Sequence, residues 1–292
     1  MRSLLFIPGD SERKLEKGFE AGADVVIVDL EDSVALQNKP NARRLAPEAI
    51  RAKLGGASRI YVRINDLGTG LADEDLAAVV PARPQGIILP KAQGGADIQH
   101  LSTKLRVAEI ENDLPDGGIG IIPIVSETGL AVLSTASYAN SSPRIAGVTW
   151  GAEDLSAAIG ARANRDEHGR YTDVFRLARS ITLLTASVCD TAAIDTVYVD
   201  FRNLDGLRAE CVEAERDGFT GKLAIHPAQV AVINEVFTPS HEAVEHARAL
   251  VATFAEAGNP GVVGIDGRMY DIPHLKRAER LLARAQATNS VR

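Results

Sequence analysis

The chain has 292 residues, 45% of them hydrophobic, enough to bury a substantial core as one α/β barrel or two modest domains. Its 32 basic and 39 acidic residues give a net charge of -7 and are scattered, so there is no basic stripe of the kind that nucleic acid or an anionic membrane requires. The two cysteines, Cys189 and Cys211, form neither a CxxC pair nor a disulfide framework, which argues against stapling and structural zinc and fits a reducing cytoplasm.

The first element is SLLFI at 3–7. It is too brief for a signal core, and Pro8, Gly9 and charges follow at once, so it reads as a strand. Further apolar runs follow: VVIV at 25–28, IYVRI at 60–64, GIIL at 86–89, GIIPIV at 120–125, IAGVTW at 145–150, TVYV at 196–199 and KLAI at 222–225. They are continuous rather than alternating, as strands buried on both faces of a parallel sheet are. Segments such as SERKLEKGFEAGA and DVFRLARSITLLTASVCD lie between them and repeat apolar residues every three or four positions, the helical spacing. None of the runs approaches the roughly 20 apolar residues needed to span a bilayer, so a soluble protein is expected.

This α/β alternation predicts a (β/α)8 TIM barrel. A doubly wound open sheet is the alternative, but PGDSERK after the first strand lacks the G-x-G-x-x-G turn that would favour it. The barrel is assigned to 1–226 and a C-terminal helical and hairpin extension to 227–292, with GVVGIDGRMYDIP turning at Asp266 and Gly267. The extension is expected to cap its own barrel or to pack on a neighbouring subunit.

Active sites of such barrels lie at the carboxyl ends of the strands. There the chain carries Asp10, then Asp29, Glu31 and Asp32, then Arg63 and Asn65, then Lys91, Glu127, Glu153 with Asp154, Asp200 and His226. Two carboxylates without a His or Cys cluster suit a hard cation such as Mg²⁺ better than zinc, and Glu127 and Asp154 are the candidates. The same acids also suit the N-termini of the helices that follow them. Arg63, a charge inside an apolar strand, is either a clamp for substrate oxygens or the partner of Asp29 or Glu31. Glu31 and Asp32 are placed to orient Arg63 or metal-bound waters, although Asp32-Ser33 equally resembles a helix start. Lys91 leaves a Schiff-base aldolase open beside a simple ion-pair role. His226 is read as structural rather than as a base.

In chain order, RSLLFIPGD, VVIVDLEDSV, YVRIN, ILPK, VSETG, WGAEDLS, AIHPAQV and DGRMYDIPHLKRAER resemble the HpcH/HpaI aldolase superfamily in its citrate lyase beta-subunit-like branch, over nearly the whole chain. The resemblance implies a Mg²⁺-dependent barrel, with Mn²⁺ as a substitute, that cleaves or forms carbon–carbon bonds in acyl thioesters, commonly as a homotrimer. It implies Glu127 and Asp154 as metal ligands and Arg63 as a catalytic and substrate-binding arginine. Glu31, Asp32, Gly151 and Ala152 are implied at the substrate, and Asp271 as a catalytic acid or base supplied from a neighbouring subunit. A coenzyme A thioester such as citramalyl-CoA or malyl-CoA is the expected substrate, with Arg2, Arg13 and Lys14 near its phosphates or simply solvated. An acyl carrier protein partner, as in a citrate lyase complex, and a thioester-free 2-oxo-acid aldolase are the alternatives, followed by a barrel that has lost its chemistry. One departure stands out: many relatives follow the glutamate with Thr-Ala-Arg-Gly, whereas this chain has Thr128, Gly129, Leu130 and Ala131.

Overall fold

The computed structural model describes residues 1–258 and 260–289. The chain divides into two compact units, Met1–Asn234 and Glu235 onward.

The first unit is a parallel barrel. Its strands are β1 (Ser3–Pro8), β2 (Val25–Asp29), β3 (Arg59–Arg63), β4 (Gly86–Leu89), β5 (Gly120–Pro123), β6 (Gly147–Val148), β7 (Ala192–Asp195) and β8 (Gly221–Ala224). The hydrogen-bonded order runs β5-β4-β3-β2-β1-β8-β7-β6. Parallel bridges between Ile121 and Ile145 and between Ile124 and Thr149 join the two ends, so the circle is nearly closed. A helix follows each strand, from Glu12–Phe19 after β1 to Pro227–Phe237 after β8. Leu4, Val25, Ile27, Tyr61, Ile88, Ile122, Ile194 and Leu223 point inward and fill the barrel. Gly86 makes room for the largest of them, because a Cβ there would lie 2.1 Å from the Tyr61 ring. Among the described residues no helix is long and apolar enough to cross a membrane.

The seventh strand departs from the expected position. TVYV at 196–199 is irregular and β7 lies one step earlier, at AAID. The reason is pairing: Ile194 and Asp195 align with Gly221 and Lys222 of β8, which places Asp195 beneath the outer helices. Its carboxylate meets Lys222 Nζ at 3.0 Å and Trp150 Nε1 at 2.7 Å, and Lys222 also reaches Glu210 at 2.7 Å. A short polar run thus outcompetes a more apolar one because its charge has a buried partner.

In the second unit, helix His241–Glu256 packs on helix Ile272–Asn289 around Ala247, Leu250, Phe254 and Ala278. Between them β9 (Val262–Ile265) and β10 (Arg268–Asp271) form an antiparallel hairpin. Its turn residues Asp266 and Gly267 have φ 49° and 76°, the left-handed pair that a two-residue hairpin demands.

Candidate active site at the barrel mouth

Asp29, the last residue of β2, is fully buried and forms the foundation of the site. Its carboxylate accepts Arg63 Nε at 2.7 Å and Nη2 at 2.6 Å, and the backbone N–H groups of Glu31 and Ser33. Arg63 comes from the end of β3 and lies over the Phe6 ring, 4.5 Å from its centroid. Burial acts to raise the Asp29 carboxyl, but the guanidinium and these hydrogen bonds outweigh it and hold the carboxyl below its usual range. Arg63 Nη1 faces Glu31 Oε2 at 3.2 Å, so the arginine is paired with both acids named for it. Asp32 and Ser33 lie in a turn rather than a helix start.

Lys91 follows β4 and connects the rest of the site. Its φ is 52°, a left-handed conformation that costs a side-chain-bearing residue about 1–3 kcal/mol. In this conformation its backbone N–H donates to Glu127 Oε2, while its ammonium pairs with Glu31, with Asp32 at 3.1 Å and with Asp154 at 3.6 Å. Partial burial disfavours the charged amine, but these acids prevail and push its pKa well up. An amine held this way is suited to ion pairing rather than to Schiff-base attack.

Glu127, four residues past β5, is 2% exposed. It does not cap the next helix: Thr128 does, accepting the Ala131 N–H at 3.1 Å. Burial and the nearby Asp154 carboxylate raise the Glu127 pKa well above the usual carboxylate value. Asp154 sits in the first turn of helix Ala152–Ile159, where an acid is also favourable to the helix. Gly151, just before that helix, has no side chain to obstruct Glu127; a Cβ there would lie 2.7 Å from Glu127 Cγ and 3.0 Å from Oε1. Ala152 is buried at the helix start.

A divalent cation fits this pair of acids. Asp29 is neutralised by a guanidinium, whereas Glu127 and Asp154 oppose each other at the cost of a raised pKa, a repulsion that Mg²⁺ would relieve. Among the described residues no group of three or more His, Cys, Asp or Glu side chains is arranged to hold a metal. Two carboxylates suffice for Mg²⁺, which usually retains waters and takes substrate oxygens.

Other candidates occupy different places. Arg2 is at the amino-terminal rim, paired with Asp24 at 2.6 Å, so it is on the opposite side of the barrel from the strand ends and not beside a phosphate at the mouth. Arg13 and Lys14 are exposed. His226 accepts the Ala228 N–H at 3.1 Å and stacks on Phe201, the structural role expected of it. Asp271 ends β10 in the second unit, its carboxylate in close contact with His274 Nδ1. No local pattern signals Phe6 beneath Arg63 or His274 beside Asp271.

The arrangement has counterparts. The family described as HpcH/HpaI aldolase/citrate lyase matches residues 2–227. A (3S)-malyl-CoA thioesterase of Cereibacter sphaeroides is 35% identical over 98% of this chain and 95% of its own length. A mitochondrial citramalyl-CoA lyase of Rattus norvegicus is 34% identical over 97% of this chain and 86% of its own. Among solved structures, protein CitE from Mycobacterium tuberculosis, in complex with magnesium, acetoacetate and coenzyme A, superposes with a TM-score of 0.77 at 35% identity and 98% coverage of both chains. By its matched length and its barrel, the chain belongs to the HpcH/HpaI aldolase/citrate lyase family.

Proposed function

We propose that this chain is a Mg²⁺-dependent carbon–carbon lyase that cleaves a 3-hydroxyacyl-CoA into acetyl-CoA and a 2-oxo acid, or runs the reverse condensation. The observation that carries the proposal is the convergence of Glu127, Asp154 and the Asp29-held Arg63 at the mouth of one barrel. The names of the relatives narrow the substrate to citramalyl-CoA, giving pyruvate, or malyl-CoA, giving glyoxylate. Glu127 and Asp154 would hold the cation, which supplies a Lewis acid and a template for the oxygens of the 2-oxo acid. Mn²⁺ is an acceptable substitute on the same oxygen donors.

The protein's own groups divide the remaining work. Arg63 presents its guanidinium to the oxygen that becomes the carbonyl, its orientation fixed by Asp29 and the Phe6 face. Glu31 and Asp32 keep the Lys91 ammonium beside the acids, and Gly151 and Ala152 shape the edge nearest the substrate. As the bond between the second and third carbons breaks, its electrons become the thioester enolate. Asp271 protonates that carbon in cleavage and removes the proton in condensation. Homotrimeric assembly in the cytoplasm, with Asp271 supplied to a neighbouring barrel, completes the reading.

The purified protein is tested with Mg²⁺ on citramalyl-CoA, malyl-CoA and citryl-CoA, each also as a carrier-protein thioester. The expected result is acetyl-CoA plus one 2-oxo acid from a coenzyme A substrate, abolished by EDTA. Cleavage confined to the carrier-bound form would make the chain a citrate lyase beta subunit, and free CoA with an intact hydroxy acid would make it a thioesterase.

A further inference from the structure

Asp271 is followed one helical turn later by His274, and the two side chains are in direct contact through Oδ1 and Nδ1. A ring nitrogen beside a carboxylate oxygen makes a hydrogen bond through one proton, and Nδ1 also lies 3.3 Å from the Asp271 backbone N–H. The imidazole is half-buried. The Tyr270 ring meets it edge-on at 5.3 Å, and it lines a groove of about 240 Å³ walled by Ala247 and Leu250. The other titratable groups around it are His246, from helix His241–Glu256, and Arg277, one turn further along its own helix.

From this contact we propose that His274 is the positioning residue of Asp271 and stores the proton that Asp271 delivers to the enolate carbon. The proposal rests on the acid–base role given to Asp271 above. In cleavage, the one proton of the pair passes from His274 Nδ1 to Asp271 Oδ1, and the carboxyl so formed delivers it to the enolate carbon, leaving Asp271 ionised. Imidazolium thereby becomes imidazole. Solvent reprotonates the ring, and the proton released from the substrate hydroxyl balances the cycle. The arrangement answers a chemical difficulty. A carboxyl with an ordinary aspartate pKa is ionised at neutral pH and has no proton to give, and the contact with His274 Nδ1 supplies one.

The test follows kcat and KM for citramalyl-CoA cleavage from about pH 5 to 9, a span that includes the range in which imidazoles titrate. Wild type, His274→Asn, His274→Gln and Asp271→Asn are compared. Asparagine places an amide nitrogen near the position of Nδ1, so it keeps the hydrogen bond and the helix start but cannot store a proton. For wild type, kcat falls as pH rises across this span. In His274→Asn, that limb disappears, kcat drops at least tenfold below about pH 7, and KM and the unfolding temperature hold. His274→Gln behaves as His274→Asn does. Wild-type kcat and an unchanged profile in both His274 variants, with Asp271→Asn inactive, would reduce His274 to a helix-capping residue and overturn the proposal. Full activity in Asp271→Asn would instead overturn the role of Asp271 itself, and this inference with it.

Discussion

Replacing Gly151 with alanine isolates the geometry of the metal site. The Gly151 backbone, at φ -120° and ψ 108°, accepts any residue, so the change introduces no backbone strain. What it introduces is a Cβ 2.7 Å from Glu127 Cγ, where ordinary contact begins at 3.4 Å. Glu127 is buried and tied to the Lys91 N–H, so the carboxylate has to retreat by about 0.7 Å, beyond the roughly 0.5 Å that a working site tolerates. The expected loss of Mg²⁺ affinity is about 10–100-fold, each tenfold step being about 1.4 kcal/mol. Overpacking adds about 1–3 kcal/mol of destabilisation, seen as about 2–4 °C of melting temperature per kcal/mol. Isothermal calorimetry with MgCl2 and a thermal melt measure both. Wild-type affinity and melting temperature in Gly151→Ala would refute the placement of Glu127 against Gly151.

Three further outcomes are expected. Asp29→Asn removes the bidentate partner of the Arg63 guanidinium, leaving Glu31 as its remaining ion pair, and destabilises the fold by about 3 kcal/mol, the low end for breaking a buried pair, measurable by urea unfolding. Because the folded-state pKa of Asp29 is depressed, its stabilisation is present above 3.8 and disappears as pH falls through the lower folded value; an acid titration of Asp29→Asn lacks that part of the wild-type loss. The raised Glu127 pKa has the opposite sign: its burden grows as pH rises above 4.5, and the cation must displace its proton. Mg²⁺ should therefore raise the melting temperature more at about pH 8 than at about pH 5, and an equal rise at both would count against Glu127 as a ligand. Borohydride added with pyruvate should leave the protein mass unchanged, because the acids around Lys91 keep its amine protonated; an adduct on Lys91 would contradict that.

Much of this was legible before any coordinates. Continuous apolar runs located the strands, and the acids just beyond them located the mouth, because parallel strands deliver their final residues to one rim. Glu127, Asp154, Arg63 and the Asp266-Gly267 turn follow from local signals. The misplaced seventh strand has a different origin: AAID carries an aspartate that makes sense only with Lys222 and Trp150 around it, and those partners are remote in sequence. The left-handed Lys91 was equally hidden, since nothing in Leu89-Pro90-Lys91 says that its N–H will turn toward a glutamate 36 residues away. Gly151, which the family resemblance implies at the substrate, also leaves the space that Glu127 occupies, a close approach that only the folded chain reveals.

The most direct test of the central claim is Mg²⁺ binding and thioester cleavage in the same samples of Glu127→Gln and Asp154→Asn. These changes keep side-chain size and remove only the charge that a hard cation needs. The account predicts that both variants lose Mg²⁺ binding by calorimetry and lose acetyl-CoA release together, while folding with the wild-type circular dichroism spectrum. Cleavage that persists in either variant without bound Mg²⁺ would contradict a metal-dependent lyase at this rim.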